Sequence, residues 1–192
     1  DTVPRFSAIL VLVLKRVVVP LLPLTEQFEL GVACEVFGFD RSDEGLPTYD
    51  FSLIAGVAEP IRSRFGFTID VPYDLAQLDE ADLIIIPAGG THASVDGSYV
   101  CSNDYDASIE PLLDKLRAAV TRGARVASLC NGAFLLGKAG LLDGRRCTTH
   151  WRHSARLAAE YPLAEVDRNV LYVDDGNVLT SAGTAAGIDL CL

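Results

Sequence analysis

Short apolar runs without polar interruptions constrain this chain most strongly. The clearest run, Asp82-Leu-Ile-Ile-Ile-Pro87, is followed at once by Ala88-Gly89-Gly90. Another, Arg125-Val-Ala-Ser-Leu129, ends at Cys130. Such runs are typical of strands that are buried on both faces, as the strands of parallel sheets are. Because helical patterns separate the runs, the sequence predicts alternating β and α units.

The remaining patterns continue this alternation. Arg16 to Leu22 and Tyr49 to Ile54 are further strand candidates, and the spacing of Phe28, Val32 and Val36 predicts a helix over 25–37. Further along we expect a hairpin over 61–71, helices over 109–122, 131–139 and 154–160, and a second hairpin around 174–177. These elements predict an α/β fold, a three-layer, doubly wound, mostly parallel sheet of the flavodoxin-like kind.

Composition limits the classes of function. The 192 residues, 49% of them hydrophobic, suit one domain, and the formal net charge of −10 argues against nucleic-acid binding by this stretch. The five cysteines form no CxxC pair and the three histidines no zinc-binding spacing, so we expect no metal, no cofactor and a cytoplasmic location. Lys15-Arg16 splits the apolar N-terminus, so neither piece predicts a membrane span.

Cys130 lies where a predicted strand turns into a predicted helix. The segment Leu129-Cys-Asn-Gly-Ala-Phe134 joins the apolar run to a helix start rich in small residues. A nucleophile elbow has this arrangement and presents a reactive side chain at the carboxyl edge of a sheet. The nearby helix N-terminus favours the thiolate. Cys130 is therefore a candidate nucleophile, or else part of the floor of a pocket.

Backbone amides could supply an anion cradle beside Cys130. Gly89 and Gly90 follow a buried strand, and in such sheets ligands bind beyond the carboxyl ends of the strands. Their N–H groups, with that of Asn131, would form an oxyanion hole. A plain tight turn is the alternative interpretation of the two glycines.

Two ionisable side chains are candidate partners of the thiol. His150, in Cys147-Thr-Thr-His-Trp151, could act as a base, although a lone histidine is more often structural. His153 competes with it, but we place it on the polar face of the following helix. Glu29 could share a proton with the thiol, and the alternative is an exposed helix carboxylate.

Four segments together resemble the DJ-1/PfpI superfamily, within the class I glutamine amidotransferase-like fold. They are Phe28-Glu-Leu-Gly-Val-Ala-Cys-Glu-Val-Phe-Gly38, Ile85-Ile-Pro-Ala-Gly-Gly90, Ala127-Ser-Leu-Cys-Asn-Gly-Ala-Phe134 and Ala139-Gly-Leu-Leu-Asp-Gly-Arg-Arg-Cys-Thr-Thr-His-Trp151. With 173–190, the last segment is most similar to the amidase-like N-terminal domain of GlxA-like AraC-type transcriptional regulators. The resemblance covers residues 16–192 and leaves 1–15 as an N-terminal extension without an assigned role.

The resemblance also implies roles for individual residues. Cys130 matches the elbow cysteine, His150 the histidine of the Thr-Thr-His-Trp motif, and Glu29 the acid that approaches the cysteine. Gly90 and Asn131 match the amides of an oxyanion hole. Asn131 stands where these relatives often have Thr or Ser, which removes a hydroxyl from the pocket and argues against retained catalysis.

The regulator resemblance implies partners as well. Such a domain is expected to sense a small-molecule effector and to form a homodimer, while a C-terminal helix-turn-helix domain binds DNA. We expect that DNA-binding domain beyond residue 192, because 184–192 reads as a helix without a capping signal. No membrane partner is expected.

Three functions are compatible with these patterns. The first is a ligand-sensing, dimerising regulatory domain that is not an enzyme. The second is a stand-alone enzyme such as an isocyanide hydratase, in which Cys130 attacks an electrophilic carbon and Glu29 manages the proton. The third is a redox sensor or a protease- or chaperone-like member, in which Cys130 oxidises to a sulfinic acid.

Overall fold

The computed structural model describes residues 14–58, 60–63, 65–89, 91–93, 99–101 and 107–192, and within 91–93 and 99–101 it describes the backbone. Gly90, a predicted cradle residue, lies outside the described residues, as does the N-terminal extension apart from residues 14 and 15. No helix within the described ranges is long and apolar enough to cross a membrane.

Twelve strands and five α-helices make up the described part of the chain. The strands are β1 (Arg16–Leu21), β2 (Asp50–Ala55), β3 (Ile61–Arg62), β4 (Thr68–Ile69), β5 (Leu83–Ile86), β6 (Thr91–Ala93), β7 (Tyr99–Cys101), β8 (Arg125–Ser128), β9 (Arg146–Cys147), β10 (Glu165–Val166), β11 (Tyr172–Asp175) and β12 (Val178–Ser181). The helices are α1 (Gln27–Phe37), α2 (Glu110–Arg122), α3 (Ala133–Lys138), α4 (Ser154–Glu160) and α5 (Ala186–Cys191).

One six-stranded sheet organises the fold, in the order β11-β12-β8-β5-β1-β2. Neighbouring strands run parallel except β11, which is antiparallel to β12. Helix α1 connects β1 to β2, and α2 precedes β8. The predicted doubly wound, mostly parallel sheet is confirmed, and β3 and β4 pair as the predicted hairpin.

Helices cover both faces of the sheet. On one face Val18 and Ile84 belong to an apolar cluster that includes the buried side of α2 and α3. On the other face Val17 and Ile85 pack with α1. Successive strand residues point to opposite faces, so the unbroken apolar runs serve two cores at once and a three-layer arrangement results.

Local signals define α2 clearly. Pro111 lies in its first turn, where a missing N–H costs nothing, and Gly123 ends it in the left-handed conformation with φ of 98°. The Gly123 N–H donates to the carbonyls of Ala119 and Val120. The predicted end of this helix at Gly123 is confirmed.

The buried face of α1 differs from the predicted stripe. Phe28, whose spacing with Val32 and Val36 predicts the helix, is 52% exposed. The buried positions are instead Glu29, Val32, Ala33 and Phe37. The helix is thus rotated so that a carboxylate, rather than an aromatic ring, faces the interior.

Candidate functional site

Cys130 occupies a strained elbow. It follows β8 and opens a 3₁₀ turn, Cys130–Gly132, that leads into α3. Its φ is 57°, in the left-handed region that costs a side-chain-bearing residue about 1–2 kcal/mol. Strain of this kind clusters at functional sites because the surrounding structure must enforce it. The strand, turn and helix predicted around Cys130 are present.

The elbow is held by close backbone contact with the end of β5. The Leu129 N–H donates to the Ile86 carbonyl at 2.9 Å. A Cβ on Gly132 would lie 2.6 Å from the same oxygen and 3.1 Å from the Pro87 oxygen. A carbonyl fixed in a strand cannot move aside, so Gly132 is required for the turn to approach β5.

Glu29 brings a carboxyl group to the thiol. Its side chain is buried, with 4% exposure, so it is not the exposed carboxylate of the alternative interpretation. Burial raises the pKa of Glu29, and the charge of Glu26 raises it further. Hydrogen bonds from the backbone N–H groups of Glu29 and Thr184, and from the Cys130 thiol, oppose that rise in pKa. Glu29 and Cys130 therefore form a hydrogen-bonded acid pair.

A strained segment after β12 supports Glu29 from the other side. Thr184 has φ of 48°, and its N–H reaches the Glu29 carboxyl. The preceding Gly183 lies against the ring of His150, because a Cβ there would come within 2.1 Å of His150 Cδ2. Residues 183–184 therefore contact both of the ionisable side chains that the sequence singles out.

His150 sits at the edge of this arrangement. Its Nδ1 accepts a hydrogen bond from the Arg152 N–H at 3.2 Å, and its ring stacks on Trp151 with centroids 5.6 Å apart. Burial and then the charge of Arg152 lower its pKa, which favours the neutral imidazole. The hydrogen bond from this loop to the elbow comes from Thr149, whose Oγ1 donates to the Cys130 carbonyl at 2.8 Å.

His153 differs from its predicted position on a polar helix face. It is half-buried, with its ring 6.3 Å from Phe134 in an edge-on contact and 5.5 Å from His150. Burial is the first cause of its lowered pKa. This histidine packs against the core beside α3.

Asn131 and Gly89 meet, but through the asparagine side chain. Gly89 N–H donates to Asn131 Oδ1 at 3.1 Å, and Asn131 Nδ2 donates to the Gly89 carbonyl at 3.2 Å. In this conformation the Gly89 N–H is directed to Asn131 rather than to a bound anion. One N–H group of the expected oxyanion hole, that of Gly89, is thus already hydrogen-bonded within the protein.

The other cysteines whose side chains are described are buried or half-buried. Burial raises the pKa of Cys147 to about 11 and that of Cys191 to about 12, and it also raises that of Cys34. Across the described part of the chain, no group of three or more His, Cys, Asp or Glu side chains is arranged to hold a metal.

Sequence reasoning missed two supporting residues, Thr149 and Thr184. Thr149 precedes His150 in the Thr-Thr-His-Trp segment, so its neighbourhood was visible as a motif. Thr184 acts through its backbone N–H, and no side-chain pattern could have identified it.

Fold and site together define an α/β domain with a cysteine elbow and an acidic partner for the thiol. The DJ-1/PfpI family model matches residues 15–192, and the chain belongs to the DJ-1/PfpI family. The predicted resemblance is confirmed.

Individual relatives include an enzyme and transcriptional regulators. The isonitrile hydratase of Pseudomonas putida is 30% identical over 172 residues, which are 90% of this chain and 67% of the hydratase. The HTH-type transcriptional regulator CdhR of Pseudomonas aeruginosa is 28% identical over 144 residues, 75% of this chain. That match spans only 39% of the regulator.

A solved structure agrees in fold. The AraC family transcriptional regulator from Pseudomonas putida superposes with a TM-score of 0.72 at 21% identity. The superposition covers 92% of this chain and 88% of that one. At this identity the likeness concerns the fold.

Proposed function

We propose that this chain is the ligand-sensing and dimerising domain of an AraC-type transcriptional regulator, with its effector site at Cys130. The supporting observation is the match to CdhR, an HTH-type transcriptional regulator, which spans 39% of that protein. The effector would be a small molecule, and DNA would be bound by a further domain. The net charge of −10 supports the assignment of DNA binding to a separate domain.

The pocket chemistry favours binding over turnover. Asn131 uses the Gly89 N–H, which would otherwise be available to a developing oxyanion. His150 packs on Gly183 and has its Nδ1 engaged by Arg152. A buried carboxyl with a raised pKa beside a thiol can still bind a polar effector group. Cys34, Cys147 and Cys191 are in no disulfide, which supports our proposal of a cytoplasmic location.

Two experiments test the regulator proposal. Reading the gene downstream of the Leu192 codon should reveal a basic helical region of about one hundred residues, and an immediate stop codon would contradict the proposal. The full-length product should then retard promoter DNA in a mobility-shift assay. Cys130→Ala should keep that DNA binding and alter only its response to the effector.

The second candidate is an isonitrile hydratase, favoured by the direct contact between Glu29 and Cys130. The Cys130 thiolate would add to the isonitrile carbon while Glu29 delivers a proton to that carbon, which gives a thioimidate. Water would then add to the same carbon and the C–S bond would break, which releases the N-substituted formamide and restores the thiol. Each turnover consumes one water and needs no oxidant.

Cyclohexyl isonitrile is a suitable probe of this alternative. Formation of its formamide, followed by NMR, should be lost in Cys130→Ala and reduced in Glu29→Gln if the domain is an enzyme. Absence of formamide with the unmodified protein would favour the sensor, and full turnover by Cys130→Ala would exclude the cysteine mechanism.

A further inference from the structure

Asn131 makes a two-point contact with the backbone of Gly89. Its carboxamide pairs with both polar groups of Gly89, by the hydrogen bonds of 3.1 Å and 3.2 Å. A carboxamide is suited to this contact because it offers an acceptor and a donor side by side, whereas a carboxylate offers acceptors alone. The pairing therefore fixes the orientation of the Asn131 side chain and of the Gly89 peptide together.

Gly89 belongs to a short segment that lies between the elbow and α1. The segment starts where β5 ends, and its first carbonyl, that of Ile86, contacts the elbow. Two residues later the Ala88 carbonyl accepts the Glu26 N–H at 2.7 Å, directly before α1. A Cβ on Gly89 would lie 3.3 Å from Thr25 Cα, so this backbone also packs against the approach to α1.

Glu29 completes a closed path of contacts. It lies in the first turn of α1, and its carboxyl hydrogen-bonds the Cys130 thiol. The path runs from Asn131 through Gly89 and the Ala88 carbonyl to Glu26, and then along α1 to Glu29, which returns to Cys130. A shift of the 86–89 segment would therefore move the carboxyl relative to the thiol.

We propose that Asn131 is a positioning residue whose carboxamide clamps segment 86–89 and thereby holds Glu29 against the Cys130 thiol. The proposal rests on the pocket that the proposed function uses. The clamp concerns the contact between Glu29 and Cys130. It therefore applies both to a pocket that binds an effector and to one that converts a substrate. Effector response and formamide production are separate measurements, and their failure would leave the clamp standing.

The rate at which iodoacetamide alkylates Cys130, measured by peptide mass spectrometry across pH, tests the clamp. Two acids that share a proton titrate in two steps with separated apparent pKa values. Asn131→Ala should weaken the contact between the Glu29 carboxyl and the Cys130 thiol. The two apparent pKa values should then lie about one pH unit closer together. Asn131→Ser is a milder neutral variant, because one hydroxyl replaces the paired acceptor and donor, and it should narrow the separation less.

Glu29→Gln supplies the matched background. Without the Glu29 carboxyl, the alkylation rate of Cys130 should rise with pH in a single step. Adding Asn131→Ala should leave the midpoint pH of that step unchanged, because no carboxyl remains whose position the variant could alter. Glu26, whose charge acts on Glu29, and His150, which lies against Gly183, are unchanged in every variant. The clamp is refuted if folded Asn131→Ala and Asn131→Ser proteins keep the wild-type separation. It is equally refuted if Asn131→Ala shifts the single step of the Glu29→Gln protein.

Discussion

Cys130 and Cys147 are both buried thiols, yet their surroundings prepare them for different roles. Cys147 lies on strand β9 with 0% exposure inside an apolar cluster, and burial raises its pKa to about 11. Cys130 is 9% exposed, has a left-handed backbone and touches a carboxyl group. Burial and the charge of Asp175 therefore keep the Cys147 thiol protonated, as expected of a packing residue. The strained turn and the carboxyl group beside Cys130 distinguish a candidate site from a packed thiol.

The largest expected difference between the two thiols is in alkylation. At pH 8 a thiol with a pKa of about 11 is ionised to only about one part in a thousand. We expect iodoacetamide to modify Cys130 faster than Cys147, because Cys147 is fully buried and almost entirely protonated, whereas Cys130 keeps some exposure. Peptide mass spectrometry over a time course measures both rates in one sample. Equal rates would show that the elbow does not activate its cysteine.

Packing at the elbow should be the next most sensitive property. Gly132→Ala places a methyl group 2.6 Å from the Ile86 carbonyl, and overpacking of this kind costs about 1–3 kcal/mol. Chemical denaturation measures the loss in free energy of unfolding. Gly31→Ala in α1 is the matched control, since a Cβ there meets nothing within 4 Å. That control should be neutral or more stable, by up to about 1 kcal/mol. Similar losses in both variants would contradict a tight elbow.

The carboxyl partner should leave a signature in the pH dependence of stability. Because the pKa of Glu29 is raised in the folded protein, the folded state holds this proton more tightly than the unfolded chain does. The resulting stabilisation is complete below the ordinary pKa of 4.5 and is lost as pH rises through the raised folded value. A tenfold difference in acid dissociation constant between the two states corresponds to about 1.4 kcal/mol of stability.

Glu29→Gln removes that titration. Denaturation curves at several pH values should show the wild-type protein losing stability relative to the variant as pH rises from about 4.5 towards neutrality. Parallel stability curves for the two proteins would mean that Glu29 titrates normally. Cys147→Ala is a useful comparison, because its thiol stays protonated throughout this range and should not alter the slope.

Two adjacent threonines offer the finest comparison. Thr149 Oγ1 donates to the Cys130 carbonyl at 2.8 Å, whereas Thr148 Oγ1 is buried and has no hydrogen-bond partner among the described residues. Thr149→Val should cost about 1 kcal/mol, because it leaves a buried carbonyl without its donor. Thr148→Val should be neutral or slightly stabilising. Thermal denaturation of the two variants distinguishes them, and a larger loss at Thr148 would reverse the assignment.

The sheet was predictable because its signals are local. The apolar runs at 83–86 and 125–128 identify two central strands wherever they fold, and Gly123 ends α2 through its own backbone conformation. The rotation of α1 was not predictable in this way. Val32 fits both the predicted and the observed stripe, and hydrophobic pattern favours burying Phe28 over Glu29.

Burying Glu29 becomes favourable only when its partners are in place. An isolated buried carboxyl is costly, and here hydrogen bonds from its own backbone N–H and from two partners, Cys130 and Thr184, offset that cost. Both partners lie far from Glu29 in the chain, so their contribution depends on the order of the strands. The local sequence pattern therefore identifies Glu29 as a candidate but does not determine whether its carboxyl is buried.

The sequence by itself determined the alternation of strands and helices and the turn that carries Cys130, because each depends on neighbouring residues. Only the tertiary structure decided what surrounds that turn. It directed the Gly89 N–H to Asn131, the Thr184 N–H to Glu29 and the His150 ring onto Gly183. These contacts join segments that meet only after the parallel sheet has assembled, since the carboxyl ends of its strands then share one edge.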